Sequence, residues 1–143
     1  MAPYDLKGII PPTTTPFDAR EELDLGAFRA QLQFLEAAGV QGVCVGGSTG
    51  EGHTLETHEL ASLWTAAAAA LGGRLPLVAG VIVDSTRQAV ERCAIARDCG
   101  AMALQVTPPH YLFRPDDDAM VQHFRDIAEA SGLPVLIYNV VPW

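Results

Sequence analysis

The spacing of apolar segments along the chain constrains its fold more than any other feature. Five short apolar runs are separated by stretches with helical periodicity, and they cover residues 8–10, 42–45, 77–83, 102–106 and 135–140. Runs such as VCV at 43–45 show little alternation of apolar and polar residues, which is typical of strands buried on both faces of a parallel sheet. The chain is therefore predicted to repeat a unit of one strand followed by one helix.

Helix signals fill the gaps between these runs. The predicted helices follow Asp24 and end at Gly39, run from Glu56 to Gly72, from Thr86 to Gly100, and from Pro115 to Gly132. The apolar residues expected to face the sheet are Leu25, Phe28, Leu32 and Leu35 in the first helix, Leu60, Leu63 and Trp64 in the second, Val90, Cys93 and Ala94 in the third, and Val121, Phe124 and Ile127 in the fourth.

Two α/β architectures agree with this alternation. The later strands begin at intervals of roughly 30 residues, the unit length of an eight-stranded (β/α) barrel, or TIM barrel, of about 250 residues. Residues 1–143 would then form a single partial barrel domain with about the first five strands and four helices. The alternative is a five-stranded doubly wound sheet that acts as a non-enzymatic anion-binding module. That fold normally ends in a helix, whereas this chain ends on a strand, so we favour the barrel.

Composition limits the classes of partner. With 17 acidic and 9 basic residues the chain has a formal net charge of −8, which disfavours binding to nucleic acid or to an anionic membrane. No targeting segment or membrane span is visible, and a cytoplasmic protein is expected. The cysteines at 44, 93 and 99 are expected to be reduced thiols. Neither they nor the four histidines have metal-ligand spacing, so no metal is expected.

A glycine-rich segment follows the second predicted strand. Residues 46–51 read GGSTGE, and in a parallel α/β fold they lie at the carboxyl end of the sheet, where ligands bind. Glycines let the backbone approach a ligand closely, and Ser48 and Thr49 add hydroxyl donors beside backbone N–H groups. The segment lacks the lysine and the glycine spacing of a nucleotide loop. It is either a tight turn or a site for a small carboxylate or phosphate.

Two tyrosines near strand ends are further candidates. Tyr138 lies on the last predicted strand, where it is either a core residue or a phenol that transfers protons, with Ser48 as a relay hydroxyl. Tyr111, Leu112 and Phe113 lie in an apolar loop at 107–115 that is rich in proline. Such a loop is expected to form either an oligomer contact or a pocket wall.

Three motifs together resemble the dihydrodipicolinate synthase / N-acetylneuraminate lyase family. They are TTPF at 14–17, GGSTGE at 46–51 and Tyr138-Asn139, and the resemblance spans the whole chain. It implies a (β/α) barrel that is usually tetrameric and needs no cofactor. It also implies class I aldolase chemistry, in which a lysine of the barrel forms a Schiff base with pyruvate or a related 2-oxo acid.

The resemblance also implies roles for individual residues. Ser48 matches the hydroxyl that relays protons, Thr49 matches the residue that holds the carboxylate, and Gly50 belongs to the same substrate-binding turn. Tyr138 matches the general acid/base. Tyr111 matches a tyrosine that reaches into the site of a neighbouring subunit.

Two departures from the family pattern affect the expected activity. The Schiff-base lysine of the family lies on the sixth strand, and the one lysine in this sequence, Lys7, lies at the opposite end of the first strand. Residues 1–143 alone are therefore expected to be inactive without a C-terminal half. An arginine that follows the tyrosine strand in true dihydrodipicolinate synthases has no match in residues 140–143, so the identity of the aldehyde partner stays open.

Overall fold

The computed structural model describes residues 6–109, 111 and 114–140. In chain order its elements are α1 (Leu25–Ala37), β1 (Val43–Val45), a short 3₁₀ turn (Ser48–Gly50), α2 (Thr57–Leu71), β2 (Leu77–Val81), α3 (Thr86–Asp98), β3 (Ala103–Val106), α4 (Asp117–Ser131) and β4 (Val135–Ile137). The predicted alternation of strands and helices is confirmed.

The four strands form one parallel sheet in the order β1-β2-β3-β4. Val43 pairs with Leu77 at one side of the sheet, and Leu104 pairs with Val135 at the other. Each strand is thus hydrogen bonded to the next strand in sequence. A doubly wound sheet instead reverses its strand order at a switch point. The doubly wound alternative is therefore wrong, and the order is that of a (β/α) barrel.

The two faces of the sheet are covered differently. The outer face packs against the helices in the main core, which includes Val43, Val45, Ala79, Leu104 and the fully buried Trp64. The inner face carries a small cluster formed by Cys44, Val78 and Ala103 with Leu6 and Ile10. Helices on one face, with the other face turned inward, are the arrangement of a (β/α)8 barrel wall.

The predicted first strand, residues 8–10, is not formed as a strand. Its segment runs parallel to β1 but meets it only at an isolated bridge between Pro12 and Cys44. The backbone N–H of Cys44 donates to the carbonyl of Pro11 at 2.9 Å. Because two consecutive prolines offer no N–H groups, a regular ladder cannot continue through them. The described part of the chain therefore has four strands where five were predicted.

Side-chain caps explain where the helices begin. Three helices start at residues whose side chains accept a hydrogen bond from the backbone N–H three positions on, namely Asp24, Ser85 and Asp116. The start of α2 is a capping box, in which the Glu59 carboxylate accepts from the backbone N–H of Glu56 at 2.8 Å. Such caps satisfy N–H groups that have no partner within the helix.

The buried side of α4 differs from the predicted side. His123, Ile127 and Ser131 are buried at intervals of four residues, whereas Val121 is 56% exposed. At 3.6 residues per turn Val121 lies on another side of the helix. The placement of Val121 in the core was wrong, and the sheet-facing side includes a histidine instead.

The cysteines are free thiols, with Cys44 and Cys93 buried and Cys99 half-buried. Over the residues that the structure describes, no three His, Cys, Asp or Glu side chains are grouped so that they could hold a metal ion. None of the helices described is both long enough and apolar enough to cross a membrane.

Candidate active site

The glycine-rich segment forms a tight turn over the end of the sheet. After β1 the chain bends at Gly46, which has a φ of +80°. The backbone N–H of Gly52 then returns to the carbonyl of Gly47 at 3.1 Å. The turn lies so close to β2 that a Cβ on Gly80 would be 2.4 Å from the backbone nitrogen of Gly47. Glycine is required at Gly80 because nothing larger fits beneath the turn.

The segment before α1 supports this turn from the other side. The Thr15 hydroxyl donates to the carbonyl of Gly50 at 2.7 Å, and Thr15 is buried. The backbone N–H of Thr13 donates to the carbonyl of Cys44 at 2.9 Å. In the sequence analysis Thr15 is only part of the TTPF motif, and Thr13 has no predicted role. Their role is to fix the position of the turn relative to β1.

The turn places the predicted substrate-binding residues at the carboxyl ends of the strands. Ser48 and Thr49 are exposed, while Gly50 is buried against the carbonyl of Thr13. Ser48 and Thr49 begin the 3₁₀ turn, and the N–H groups at the start of a helical turn have no partner within it. Two hydroxyls and these N–H groups together suit a small anion.

Tyr138 lies on the inner side of the sheet, directly after β4. Its backbone N–H donates to the carbonyl of Val106 at 2.8 Å, which continues the pairing of β3 with β4. Ile137 pairs with Val106 of the outer core, so the next residue faces inward. The side chains of Ser48 and Tyr138, both among the described residues, form no hydrogen bond with each other. The proton relay between them stays a prediction.

The loop after β3 is attached to the loop after β2. The backbone N–H of Tyr111 donates to Oδ1 of Asp84 at 3.0 Å, and the Tyr111 side chain is 71% exposed. The tyrosine is thus held by its backbone while its ring points away from the core. Leu112 and Phe113, which were predicted to share this contact surface, lie outside the described residues.

A cleft of about 550 Å³ lies beside the turn. Its polar lining comes from several loops and from α3, and consists of Ser48, His53, Asp84, Gln88, Arg92 and Thr107. The guanidinium of Arg92 donates to the carbonyls of Gly52 and Leu55 and so holds the wall of the cleft in place. Apart from Ser48, and from Thr107 in the loop predicted to form an oligomer contact or a pocket wall, these residues had no predicted role at a site. Most of them follow the end of a strand in the sequence, and this position is the feature that could have identified them.

A buried polar contact lies below this cleft. Nδ1 of His123 is 2.9 Å from the Thr86 hydroxyl, and Thr107 lies next to the imidazole. Burial lowers the pKa of His123, while the Thr107 backbone and Asp126 act in the opposite direction. The contact joins α3, α4 and the end of β3. The imidazole is therefore part of the packing that positions the loop leading to Tyr111.

The inner face below the turn carries a second polar contact. The thiol of Cys44 donates to Oε1 of Gln105 at 2.9 Å. Burial raises the pKa of Cys44 to about 12, so the thiol keeps its proton near neutral pH. Cys44 is thus an unreactive donor to the glutamine and not a nucleophile.

Comparison with known proteins identifies the family of this chain. The model of the Dihydrodipicolinate synthetase family matches residues 5–142. The chain belongs to this family. The 4-hydroxy-tetrahydrodipicolinate synthase of Xylella fastidiosa is 40% identical over 136 residues, which are 94% of this chain and 44% of that protein. The 4-hydroxy-tetrahydrodipicolinate synthase 1 of Streptomyces coelicolor is 43% identical over 126 residues, 88% of this chain and 41% of that protein.

Solved structures of other proteins have the same fold. YagE, an E. coli prophage protein of the dihydrodipicolinic acid synthase family solved in complex with pyruvate, matches with a TM-score of 0.91 and 30% identity, over 96% of this chain and 46% of that one. CdNal from Clostridium difficile, solved in complex with mannosamine, matches with a TM-score of 0.89 and 25% identity, over 96% of this chain and 47% of that one. The chain spans less than half the length of these relatives.

Membership of the dihydrodipicolinate synthetase family confirms the resemblance and the TIM-barrel fold that the sequence predicted. The chain corresponds to the first part of that barrel. The roles of Ser48, Thr49, Gly50, Tyr111 and Tyr138 remain predictions. Their positions are compatible with those roles, since the turn and Tyr138 both lie at the carboxyl edge, where sites of this fold form.

Proposed function

We propose that this chain forms the carboxylate-binding and proton-transfer part of a lyase of the aldolase type that acts on pyruvate or a related 2-oxo acid through a lysine Schiff base. One observation carries the proposal. In a member of the dihydrodipicolinate synthetase family, the Ser48–Gly50 turn and the inward-facing Tyr138 lie at the same edge of one parallel sheet.

Each residue then has a chemical task. Thr49 and the backbone N–H groups of the turn bind the carboxylate of the 2-oxo acid. The lysine nitrogen attacks the C2 carbonyl carbon, and the carbonyl oxygen leaves as water. Tyr138 moves the protons for this step, and Ser48 relays them. Loss of a C3 proton gives an enamine, whose C3 bonds to the carbonyl carbon of an aldehyde. Water then releases the product from the lysine.

The lysine is not Lys7. The segment that carries Lys7 runs parallel to β1, with Ile9 hydrogen bonded to Gln41 just before β1 and Thr13 hydrogen bonded to Cys44 within it. Lys7 therefore lies towards the amino ends of the strands, whereas the turn lies at their carboxyl ends. We place the imine-forming lysine outside residues 1–143, on another segment of the same protein or on a partner chain. Residues 1–143 alone are then inactive.

The partners follow from the same proposal. YagE was solved with pyruvate, which supports a 2-oxo acid as the substrate, and CdNal was solved with mannosamine, so we propose that the second substrate differs between members. The exposed ring of Tyr111, held by its backbone to Asp84, suits a contact with a second copy of the protein, and the family tetramer is the arrangement we propose. A cytoplasmic location remains a prediction from the sequence.

Exchange of the methyl protons of pyruvate tests this function without knowledge of the aldehyde. An enamine takes up deuterium at C3 from D₂O, so the protein as its gene encodes it should exchange these protons, as followed by NMR. Tyr138→Phe should slow exchange by about 100-fold or more, since general acid–base catalysis contributes on that scale. The control is His58→Asn, on the exposed face of α2, which should exchange normally. Absence of exchange by the unaltered protein would overturn the function.

A further inference from the structure

The inner face of the sheet carries one side chain that the proposed roles do not use. Strand alternation and register place Cys44, Val78, Gly80, Ala103, Gln105 and Leu136 on this face. Within the four described strands, Gln105 is the only inward-facing amide. It pairs with Gly80 on one side and Leu136 on the other. This amide is half-buried among small and apolar neighbours, where polar groups usually have a hydrogen-bond partner.

The oxygen of the Gln105 amide already has a hydrogen-bond partner. Oε1 of Gln105 accepts the hydrogen bond from Cys44 at 2.9 Å. The thiol remains protonated near neutral pH, so it can donate to this oxygen. The amide nitrogen Nε2 must then point elsewhere, and among the described residues it has no hydrogen-bond partner. The contact with Cys44 therefore leaves the two N–H donors of the amide available.

The position of Gln105 relates it to the substrate-binding turn. A Cβ on Gly47, the residue before the turn, would lie 3.4 Å from Oε1 of Gln105. The turn itself lies over Gly80, the neighbour of Gln105 in the sheet. On the other side, β4 leads into Tyr138, which faces inward two residues after Leu136. Gln105 thus lies between the Ser48–Gly50 turn and Tyr138, at the floor of the space they border.

We propose that Gln105 is a specificity-determining residue whose Nε2 donates a hydrogen bond to an oxygen of the 2-oxo acid held at the Ser48–Gly50 turn. This inference rests on the proposed function. The competing explanation is that Gln105 serves only to accept the proton of Cys44. The two explanations differ in what the loss of each partner does, because Cys44 can be removed while the amide donors remain.

Two variants of the gene-encoded protein distinguish the two explanations. Gln105→Met keeps the length and volume of the side chain but removes both donor and acceptor. Cys44→Ala removes the thiol and keeps the amide. The readout is the pyruvate concentration that gives half-maximal exchange of the methyl protons, with thermal unfolding measured in parallel. Gln105→Met should raise this concentration by about 10-fold to 100-fold, the loss expected for a hydrogen bond to a charged group.

Each of the other possible results supports or contradicts the role of Gln105. Cys44→Ala should change the half-saturating concentration by less than about threefold. Equal effects of the two variants, or no effect of Gln105→Met, would overturn the role of Gln105 and leave the proposed function intact. If the unaltered protein exchanges nothing, the proposed function and this inference fail together. Gln105→Leu also removes the donor and the acceptor and introduces no charge near the anion, so it repeats the test if Gln105→Met does not fold.

Discussion

Gly80 lies directly beneath Gly47, so close that a Cβ on Gly80 would be 2.4 Å from the backbone nitrogen of Gly47. This contact brings the Ser48–Gly50 turn down onto β2 and beside Gln105. The strand residue therefore has to be glycine for the turn to lie here, although it is far from the turn in sequence. The geometry of the proposed carboxylate site depends on this pair.

The first prediction is that Gly80→Ala destabilises the protein and displaces the turn. A methyl group at Gly80 would overlap the backbone of Gly46 and Gly47, which cannot move aside as a flexible side chain does. Overpacking of this kind typically costs about 1–3 kcal/mol in the free energy of unfolding. Urea unfolding measures the cost. Gly26→Ala, at an exposed position in α1, is the control and should change stability by less than about 1 kcal/mol. Wild-type stability of Gly80→Ala would show that the turn can yield.

The second prediction concerns Thr15, whose buried hydroxyl donates to the carbonyl of Gly50. Thr15→Val has nearly the same shape but leaves that carbonyl without its donor, which should cost about 1–3 kcal/mol. Thr15→Ser keeps the hydroxyl and loses one methyl group, so its cost should stay near the value of one buried carbon, about 0.8 kcal/mol. Denaturant unfolding of both variants distinguishes the two contributions. Equal losses would mean that packing, not the hydrogen bond, is what Thr15 contributes.

The third prediction is a dependence of stability on pH that arises from His123. Burial lowers the pKa of His123 in the folded protein, so as the pH falls the unfolded chain binds this proton first. The stabilising contribution is complete above the unfolded pKa of about 6.5 and declines as the pH falls towards the folded value. Unfolding free energies measured at about pH 7.5 and about pH 5.5, on either side of that unfolded pKa, should therefore differ more for the unaltered protein than for His123→Asn. The exposed His58 provides the control, and His58→Asn should retain the full difference.

The fourth prediction concerns the attachment of the loop after β3. Asp84→Ala removes the carboxylate that accepts from the backbone N–H of Tyr111. The loop should then be cut faster in limited proteolysis, and any oligomer that depends on Tyr111 should weaken in sedimentation analysis. Asp84→Asn keeps one acceptor oxygen and should lie closer to the unaltered protein. Identical cleavage of all three proteins would show that other contacts hold the loop.

Much of the fold could be predicted because apolar patterns and caps report directly on local structure. The run VCV at 43–45 and the cap at Asp24 both appear in the structure as predicted. The prediction of a first strand was wrong because Pro11 and Pro12 lack the backbone N–H groups that strand pairing needs, although the apolar residues before them resemble a strand. The prediction for Val121 was wrong because Val121 and Ile127 are six residues apart, which places them about 120° apart around an α-helix.

The site was only partly predictable from sequence. The turn at Ser48 and the strand end at Tyr138 were found because glycines and a strand-terminal tyrosine are local signals. The pairing of Cys44 with Gln105 was not, because the two residues are 61 positions apart and meet only through the register of neighbouring strands. His123 was also missed as a buried group, since a polar residue in a helix is usually solvated.

The most direct test of the central claim is to trap the imine. The protein as its gene encodes it would be incubated with pyruvate and sodium borohydride, digested, and mapped by mass spectrometry, with residues 1–143 alone treated in the same way. We predict one reduced pyruvate adduct on a lysine outside residues 1–143, and none on residues 1–143 alone. An adduct on Lys7, or no adduct in the gene-encoded protein, would contradict the proposed Schiff-base function.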